Sequence, residues 1–182
     1  MPTLTHKLSL VVNSVYVYHK NKWCRVEFRW HNDSFYLIIS SYRCDLVEVS
    51  GDLFTAPADE SLGHCVSSDF HLGRGIAHEF KLRFPGLQNL RGVAVGKVGV
   101  MRFGSMFVYN LVTKKNYFNK PNYVTLNMCL EDLRAHALDN SVLAVSIPRL
   151  GCGLDKLDWT IVRRLICKTF SNTNIKITVY HL

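Results

Sequence analysis

Beyond residue 44 the apolar positions follow two patterns that take turns along the chain. Apolar residues at helical spacing predict helices over 78–84, 121–138 and 158–170. Short apolar runs, typical of buried strands, lie between them at 46–49, 61–66, 93–98, 106–112, 142–147 and 175–180. Strands that alternate with helices in this way predict one α/β domain over 45–182, with helices on both faces of its sheet.

The first 44 residues carry a different pattern, in which apolar runs at 8–18, 23–30 and 35–39 are separated by polar turns. In the second run, alternate residues from Cys24 to Trp30 are apolar, which is the period of a half-buried strand. We therefore expect a β-rich N-terminal extension over 1–44. It either forms a small meander or is partly disordered.

The composition is that of a soluble globular protein, with 48% hydrophobic and 20% charged residues. No apolar run approaches the roughly 20 residues that span a bilayer, and the N-terminus lacks the pattern of a signal peptide, so we expect no membrane association. The six cysteines show neither a CxxC pair nor zinc-ligand spacing. We therefore expect no bound metal, and reduced thiols in the nucleus or cytoplasm.

The net charge of +8 is densest at the N-terminus, where residues 1–44 hold six Lys or Arg against two Asp or Glu. A basic surface favours anionic partners such as phosphate, nucleotide or nucleic acid. Aromatic and basic residues interleave in this segment, at Tyr16, Tyr18, Trp23, Arg25, Arg29 and Trp30. The pattern permits binding of single-stranded nucleic acid, but aromatic residues in the core of a sheet are the more common explanation.

Glycine-containing loops follow three of the predicted strands, at 51–54, 73–75 and 148–155. Glycine lets the backbone approach a ligand closely, and the N-terminus of a helix attracts phosphate. Three such loops in one α/β domain predict a cradle for a phosphate-rich ligand. Because neither GxGxxG nor GxxxxGK[ST] occurs, a Rossmann dehydrogenase and a P-loop NTPase are both poor fits.

Six stretches together are more specific than any one loop. They are GDLF at 51–54, SLGHCVS at 61–67, LGRGIA at 72–77, LVTKK at 111–115, PRLGCGLD at 148–155 and IKITVYHL at 175–182. In this order they resemble the macro domains, and within them the terminal ADP-ribose glycohydrolase branch, also described as O-acetyl-ADP-ribose deacetylases. The resemblance implies a three-layer α/β/α fold with a mixed central sheet. It further implies a monomer without cofactor whose partners are ADP-ribose and ADP-ribosylated proteins.

The resemblance also implies roles for individual residues. Lys114, the first lysine of LVTKK, matches the nucleophile of the branch, and Asp155 matches its acid/base partner. Asp52 matches the acidic residue that contacts the adenine amino group, and residues 149–155 match the contacts to phosphate and distal ribose. The implied ligand contacts are Asp52, Leu53, Ser67, Gly73, Gly75, Ile76, Arg149, Leu150, Gly151, Cys152, Gly153, Leu154 and Leu182.

The chemistry of these residue types fits that role. An ADP-ribosyl ester has an electrophilic anomeric carbon, which a deprotonated lysine amine attacks to form a Schiff-base-type intermediate. A carboxylate takes up the amine proton and returns it later. Lys115 either supplies a second cation that favours the neutral amine or faces solvent. Without the motif, Asp155 would be interpreted as a helix N-cap, and Lys114 with Lys115 as a solvated turn.

Two departures from the family pattern matter. Arg74 stands between the loop glycines, where it either clamps a phosphate or crowds the cavity, and His71 is expected to be an exposed loop residue. Residues 67–69 lack the paired Asn of the water-dependent hydrolytic branch, which favours the lysine route. The sequence thus predicts a glycohydrolase that removes mono- or terminal ADP-ribose from acidic side chains. The alternatives are a non-catalytic reader of ADP-ribose and an ADP-ribose 1″-phosphate phosphatase.

Overall fold

The computed structural model describes residues 44–182 in full and, before them, the backbone of three strands. β1 (Ser14–His19), β2 (Lys22–His31) and β3 (Ser34–Tyr42) pair antiparallel in that order. Residues 8–13 of the first predicted strand, and the aromatic and basic side chains of this segment, lie outside the described residues. The chain divides into two compact units between Arg43 and Cys44. The interpretation of the first unit as an extension stays a prediction.

The second unit is built on a six-stranded sheet in the order β4-β9-β8-β5-β7-β6. Its strands are β4 (Leu46–Ser50), β5 (Ser61–Ser67), β6 (Val98–Phe103), β7 (Met106–Lys114), β8 (Ala144–Pro148) and β9 (Lys176–His181). All neighbours pair in parallel except β6, which is antiparallel to β7. The sheet is therefore mixed, and the carboxyl ends of its five parallel strands meet at one edge.

Helices cover both faces of this sheet. They are α1 (Gly75–Arg83), α2 (Tyr123–Asp139) and α3 (Trp159–Phe170), with short 3-10 turns at 53–55 and 87–90. The side chains of β7 alternate between two cores: Tyr109 and Leu111 pack with α2 and α3, whereas Val108 and Val112 pack on the side of α1. The expected three-layer α/β/α architecture with a mixed sheet is confirmed.

Capping residues fix where the two long helices begin. Asn122 and Thr125 form a reciprocal capping box at the start of α2, and the Asp158 carboxylate accepts the backbone N–H groups of Thr160 and Ile161 at the start of α3. Both helices therefore begin within two residues of the positions predicted from sequence. The first helix begins at Gly75, earlier than predicted, so its N-terminus lies directly in the second glycine loop.

The predicted strand over 93–98 is wrong, because this segment turns and β6 begins only at Val98. Gly92, just before the apolar run, and Gly96, inside it, adopt φ of +94° and +88°, and the chain bends at both positions. Within the run, the Lys97 N–H donates to the carbonyl of Ala94 at 3.1 Å. Apolar content suggested a strand, and the glycine conformations overrode it.

Within the described part of the chain, no helix combines the length and apolar character needed to cross a membrane. Residues 44–182 also contain no cluster of His, Cys, Asp and Glu suited to a metal ion. The cysteines of this unit, Cys44, Cys65, Cys129, Cys152 and Cys167, are all free thiols.

Candidate active site

A cavity of about 1110 Å³ is lined by residues that follow the five parallel strands at their carboxyl ends. This is the edge at which open α/β sheets bind ligands. Four steps between neighbouring strands give the cavity a length of about 20 Å, which suits an extended ligand. Every predicted site residue lines it: Asp52, Leu53, Ser67, Gly73, Gly75, Ile76, Lys114, Arg149, Leu150, Gly151, Cys152, Gly153, Leu154, Asp155 and Leu182.

The two predicted reactive residues meet inside the cavity. The Lys114 ammonium donates to the Asp155 carboxylate, with Nζ and Oδ1 2.6 Å apart, and the two side chains are only 14% and 17% exposed. Lys114 ends β7, whereas Asp155 lies in the loop after β8, and β5 runs between these strands. The contact is therefore made across the end of β5. The geometry suits transfer of a proton between an amine and a carboxylate.

Asp155 is not the N-cap of α3. Asp158 fills that position, with its Oδ1 2.7 Å from the Thr160 nitrogen. Two aspartates three residues apart thus perform different tasks: one begins the helix and the other meets Lys114. Lys115 is exposed and does not line the cavity, so it faces solvent.

The loop that carries Asp155 owes its shape to Gly151. This residue has φ +67°, and a β-carbon there would meet the Leu157 side chain at 2.7 Å. The Gly151 carbonyl accepts the Leu157 N–H at 2.9 Å, which closes the turn beneath Asp155. Gly153 has open space around its α-carbon, so its backbone is accessible from the cavity.

Arg149 is held at the cavity wall by a carboxylate that the sequence analysis did not single out. The Glu48 carboxylate on β4 accepts hydrogen bonds from Arg149 Nη2 at 3.1 Å, Trp159 Nε1 at 3.2 Å and Arg163 Nε at 3.2 Å. The Arg149 guanidinium also lies 5.5 Å from the Trp159 ring centre. Burial would raise the pKa of Glu48, but these hydrogen bonds outweigh it and hold that pKa below its ordinary value.

A second carboxylate, Asp69, orders the loops beside Lys114. Its Oδ1 accepts the Ser67 hydroxyl at 2.5 Å and the His71 N–H at 3.3 Å, and its Oδ2 accepts the Tyr117 N–H at 3.0 Å. Burial opposes ionisation of Asp69, but the hydrogen bonds prevail and lower its pKa. The loop after β5 and the loop after β7 are thereby tied together.

Several cavity residues were missed from sequence. Tyr117, Phe118 and Lys120 follow the lysine pair and line the cavity, as does His71, which is exposed as expected. The feature that could have indicated them from sequence is the aromatic pair Tyr117-Phe118 in a polar loop shortly after LVTKK. Arg74 also lines the cavity beside the N-terminus of α1, and within residues 44–182 it forms no ion pair.

The cysteines of the site are poor nucleophiles in this environment. Burial raises the pKa of the Cys152 thiol above its ordinary value, against the opposing effect of Arg149, and its Sγ donates to the Leu150 carbonyl at 3.3 Å. Burial likewise raises the pKa of Cys65, on β5. Neither thiol is therefore favoured as a nucleophile over the amine of Lys114.

Solved structures share this fold. The macrodomain of Mycobacterium tuberculosis DarG aligns with a TM-score of 0.70 at 25% identity, over 77% of this chain and 99% of that one. The mixed sheet between helical layers, with its cavity at the carboxyl ends of the strands, is thus a macrodomain fold. No protein-family model matches the chain.

Relatives found by sequence indicate the branch within this fold family. The chain is 45% identical over 136 residues to ADP-ribose glycohydrolase OARD1 of Homo sapiens, which is 74% of this chain and 90% of that protein. It is 30% identical over 132 residues to a DNA ADP-ribosyl glycohydrolase of Mycobacterium tuberculosis, covering 66% of this chain and 37% of that protein. The chain therefore belongs to the macrodomain family, in the branch of the terminal ADP-ribose glycohydrolases.

Proposed function

We propose that this chain is an ADP-ribose glycohydrolase that releases mono- or terminal ADP-ribose from ester links to acidic side chains, with Lys114 as the nucleophile. The observation that carries the proposal is the Lys114–Asp155 pair, joined at 2.6 Å and largely shielded from water within the cavity. The 45% identity to a relative named as an ADP-ribose glycohydrolase supports the same substrate.

The reaction follows from the two side chains. Asp155 takes a proton from the Lys114 ammonium, and the freed amine attacks the anomeric carbon of the distal ribose. A bond forms between Nζ and that carbon while the bond to the ester oxygen breaks, and the acidic side chain departs as a carboxylate. The ribose then opens to a protonated Schiff base on Lys114. Water adds to it with the help of Asp155, which regenerates the amine and releases ADP-ribose.

The rest of the cavity supplies binding. Asp52 and Leu182 follow β4 and β9 at one end, which is suited to the adenine, and the loops at 73–75 and 149–154 lie between them and Lys114, where the diphosphate would bind. The Asp52 carboxylate also accepts the Phe54 N–H at 3.0 Å, so its position is fixed without a ligand. The same chemistry would deacylate a 1″-O-acyl-ADP-ribose, because the leaving group at its anomeric carbon is again a carboxylate.

The proposal is tested by release of ADP-ribose from a glutamate-linked ADP-ribosylated protein. We expect Lys114→Ala and Asp155→Ala each to lower turnover by about 100-fold or more, since each removes a group needed for bond cleavage. Lys115→Ala is the matched control, because it removes an exposed lysine next in sequence that lies outside the cavity. It should keep full activity.

Calorimetry with ADP-ribose separates catalysis from binding. Lys114→Ala should retain most of the affinity of the parent protein. Tight binding by a parent that releases no ADP-ribose would contradict the proposal and indicate a reader module. Faster turnover of ADP-ribose 1″-phosphate than of the protein ester would indicate a phosphatase instead.

A further inference from the structure

An aromatic platform, formed by the rings of His71, Tyr117 and Phe118, lies beside the reactive pair. The His71 and Tyr117 rings stack with centres 4.5 Å apart and planes 24° apart, and the Phe118 ring stands edge-on to Tyr117 at 5.3 Å. All three residues line the cavity, although Tyr117 is 56% and Phe118 68% exposed. Clustered exposed aromatic rings at the border of a reactive cavity indicate a contact surface.

The platform is held in place by its own supports. Asp69 accepts the backbone N–H groups of both His71 and Tyr117, at 3.3 Å and 3.0 Å. The Arg91 guanidinium also donates to the Asp69 carbonyl at 3.0 Å. The backbone that carries the His71 and Tyr117 rings is thus ordered before any ligand arrives, and a surface ordered in advance loses less conformational entropy on binding.

The backbone around His71 is strained in a way that presents its ring. Phe70 and Leu72 have φ of +45° and +49°, which costs each non-glycine residue on the order of 1 kcal/mol. Their side chains are nevertheless buried in the core, at 1% and 4% exposure, and the strain turns His71 outward between them. Strain of this kind persists where the surrounding packing over-determines the backbone, and it clusters at functional sites.

The strand order tells which part of the substrate meets the platform. Asp52 follows β4 at one side of the sheet, whereas the platform follows β5 and β7, on the side of Lys114. The Ser68 N–H donates to the Lys114 carbonyl at 2.9 Å, so the loop bearing His71 is joined directly to the nucleophile's backbone. With adenine at Asp52 and the anomeric carbon at Lys114, the group next to the platform is the one that leaves.

We propose that the platform of His71, Tyr117 and Phe118 is an acceptor subsite that binds the polypeptide segment carrying the modified acidic residue. This rests on the proposed function, in which a glutamate or aspartate side chain is the leaving group. The Lys120 cation lines the cavity beside the platform, with its Nζ 3.5 Å from the Leu154 carbonyl. It complements a further carboxylate in an acidic segment, so the favoured substrate is an acidic peptide stretch with an apolar or aromatic neighbour.

The test compares two esters that share the ADP-ribosyl group and differ in the acceptor. One is a protein with ADP-ribose linked to glutamate in an acidic segment, and the other is 1″-O-acetyl-ADP-ribose, which carries no polypeptide. Tyr117→Ala should raise KM for the protein by about 3- to 10-fold, which corresponds to the usual binding free energy of one aromatic contact. The same variant should leave kcat and KM for the acetyl ester unchanged. Tyr117→Phe should restore the KM of the parent. Leu143→Ala, which truncates a side chain 69% exposed and outside the cavity, is the surface control.

Three other results of this experiment would contradict the proposed subsite or the proposed function. Equal changes on both esters, or none on either, would overturn the subsite. A greater dependence on Tyr117 for an ADP-ribosylated single-stranded oligonucleotide than for the protein would replace the polypeptide by a nucleobase. If the parent hydrolyses neither ester, the proposed function fails separately. The subsite is then tested by affinity, because the modified protein should bind more tightly than free ADP-ribose only when Tyr117 is present.

Discussion

His64 is a buried imidazole whose protonation the fold does not accommodate. It stacks on the Phe80 ring of α1 at 3.8 Å, and its Nε2 lies 2.8 Å from Asn110 Oδ1. Because the Asn110 amide nitrogen already donates to the carbonyls of Gly99 and Val108, its oxygen accepts from a protonated Nε2. Nδ1 is buried and finds no partner among the described residues, so a second proton there would be unpaired.

The energetic consequence can be worked out. Burial lowers the pKa of His64 from 6.5 to about 4, against a raising effect of the Asn110 hydrogen bond. Above pH 6.5 the imidazole is neutral in both folded and unfolded chains, so no stability is lost. As the pH falls from 6.5 towards 4, only the unfolded chain takes up the proton, and the unfolding free energy drops by about 3 kcal/mol. The unfolding free energy of an ordinary domain is roughly 5–15 kcal/mol, so this loss is a large part of it.

Urea unfolding between pH 7.5 and pH 4 measures the effect when the parent is compared with His64→Gln. Glutamine can donate to Asn110 from a similar position and does not titrate. The parent should lose about 3 kcal/mol more than the variant over this range. Glu48 and Asp69, whose pKa values are lowered, contribute equally to both proteins and only at the acid end of the range. Superimposable pH profiles would refute the reasoning, because the imidazole would then be protonated in the folded state at little cost.

Glu48 and Asp158 are carboxylates that we expect to support the structure of the site without taking part in bond cleavage. Glu48→Gln should weaken ADP-ribose binding by about three- to fivefold in calorimetry, because Arg149 loses its partly exposed ion pair and is less well fixed at the cavity wall. Unchanged affinity would mean that Trp159 alone fixes the guanidinium. Asp158→Ala should cost about 1 kcal/mol in unfolding free energy through loss of the α3 cap, and leave turnover intact. Loss of turnover comparable to that of Asp155→Ala would contradict the separate tasks assigned to the two aspartates.

Local sequence patterns were sufficient to predict most of the fold. The helices predicted over 121–138 and 158–170, for example, have both apolar residues at helical spacing and capping residues at their starts, and the two signals agree. Local patterns were insufficient between Gly92 and Val98, where left-handed glycine conformations depend on contacts with β7, such as the bond from the Gly96 N–H to the Val112 carbonyl. A short apolar run does not contain that information.

Some residues of the candidate site could be predicted from sequence and others could not. Lys114 and Asp155 could be singled out from sequence because both belong to motifs, and the structure brings their side chains together in the cavity. Glu48 and Asp69 were not found, because each acts through hydrogen bonds to residues distant in sequence. Glu48 meets Arg149 more than a hundred positions away, and Asp69 meets Tyr117 48 positions away. Such partners become visible only when the strand order is known.

The strand order also explains why the reactive pair depends on its supports. Lys114 ends β7 and Asp155 lies in the loop after β8, and β5 runs between these two strands, which are therefore about 10 Å apart. The lysine side chain and the glycine turn at 151 must together close that distance. A small displacement of either loop would separate amine and carboxylate. We therefore expect Glu48 and Asp69, whose carboxylates hydrogen-bond to residues of these loops, to affect turnover by fixing the geometry of the pair.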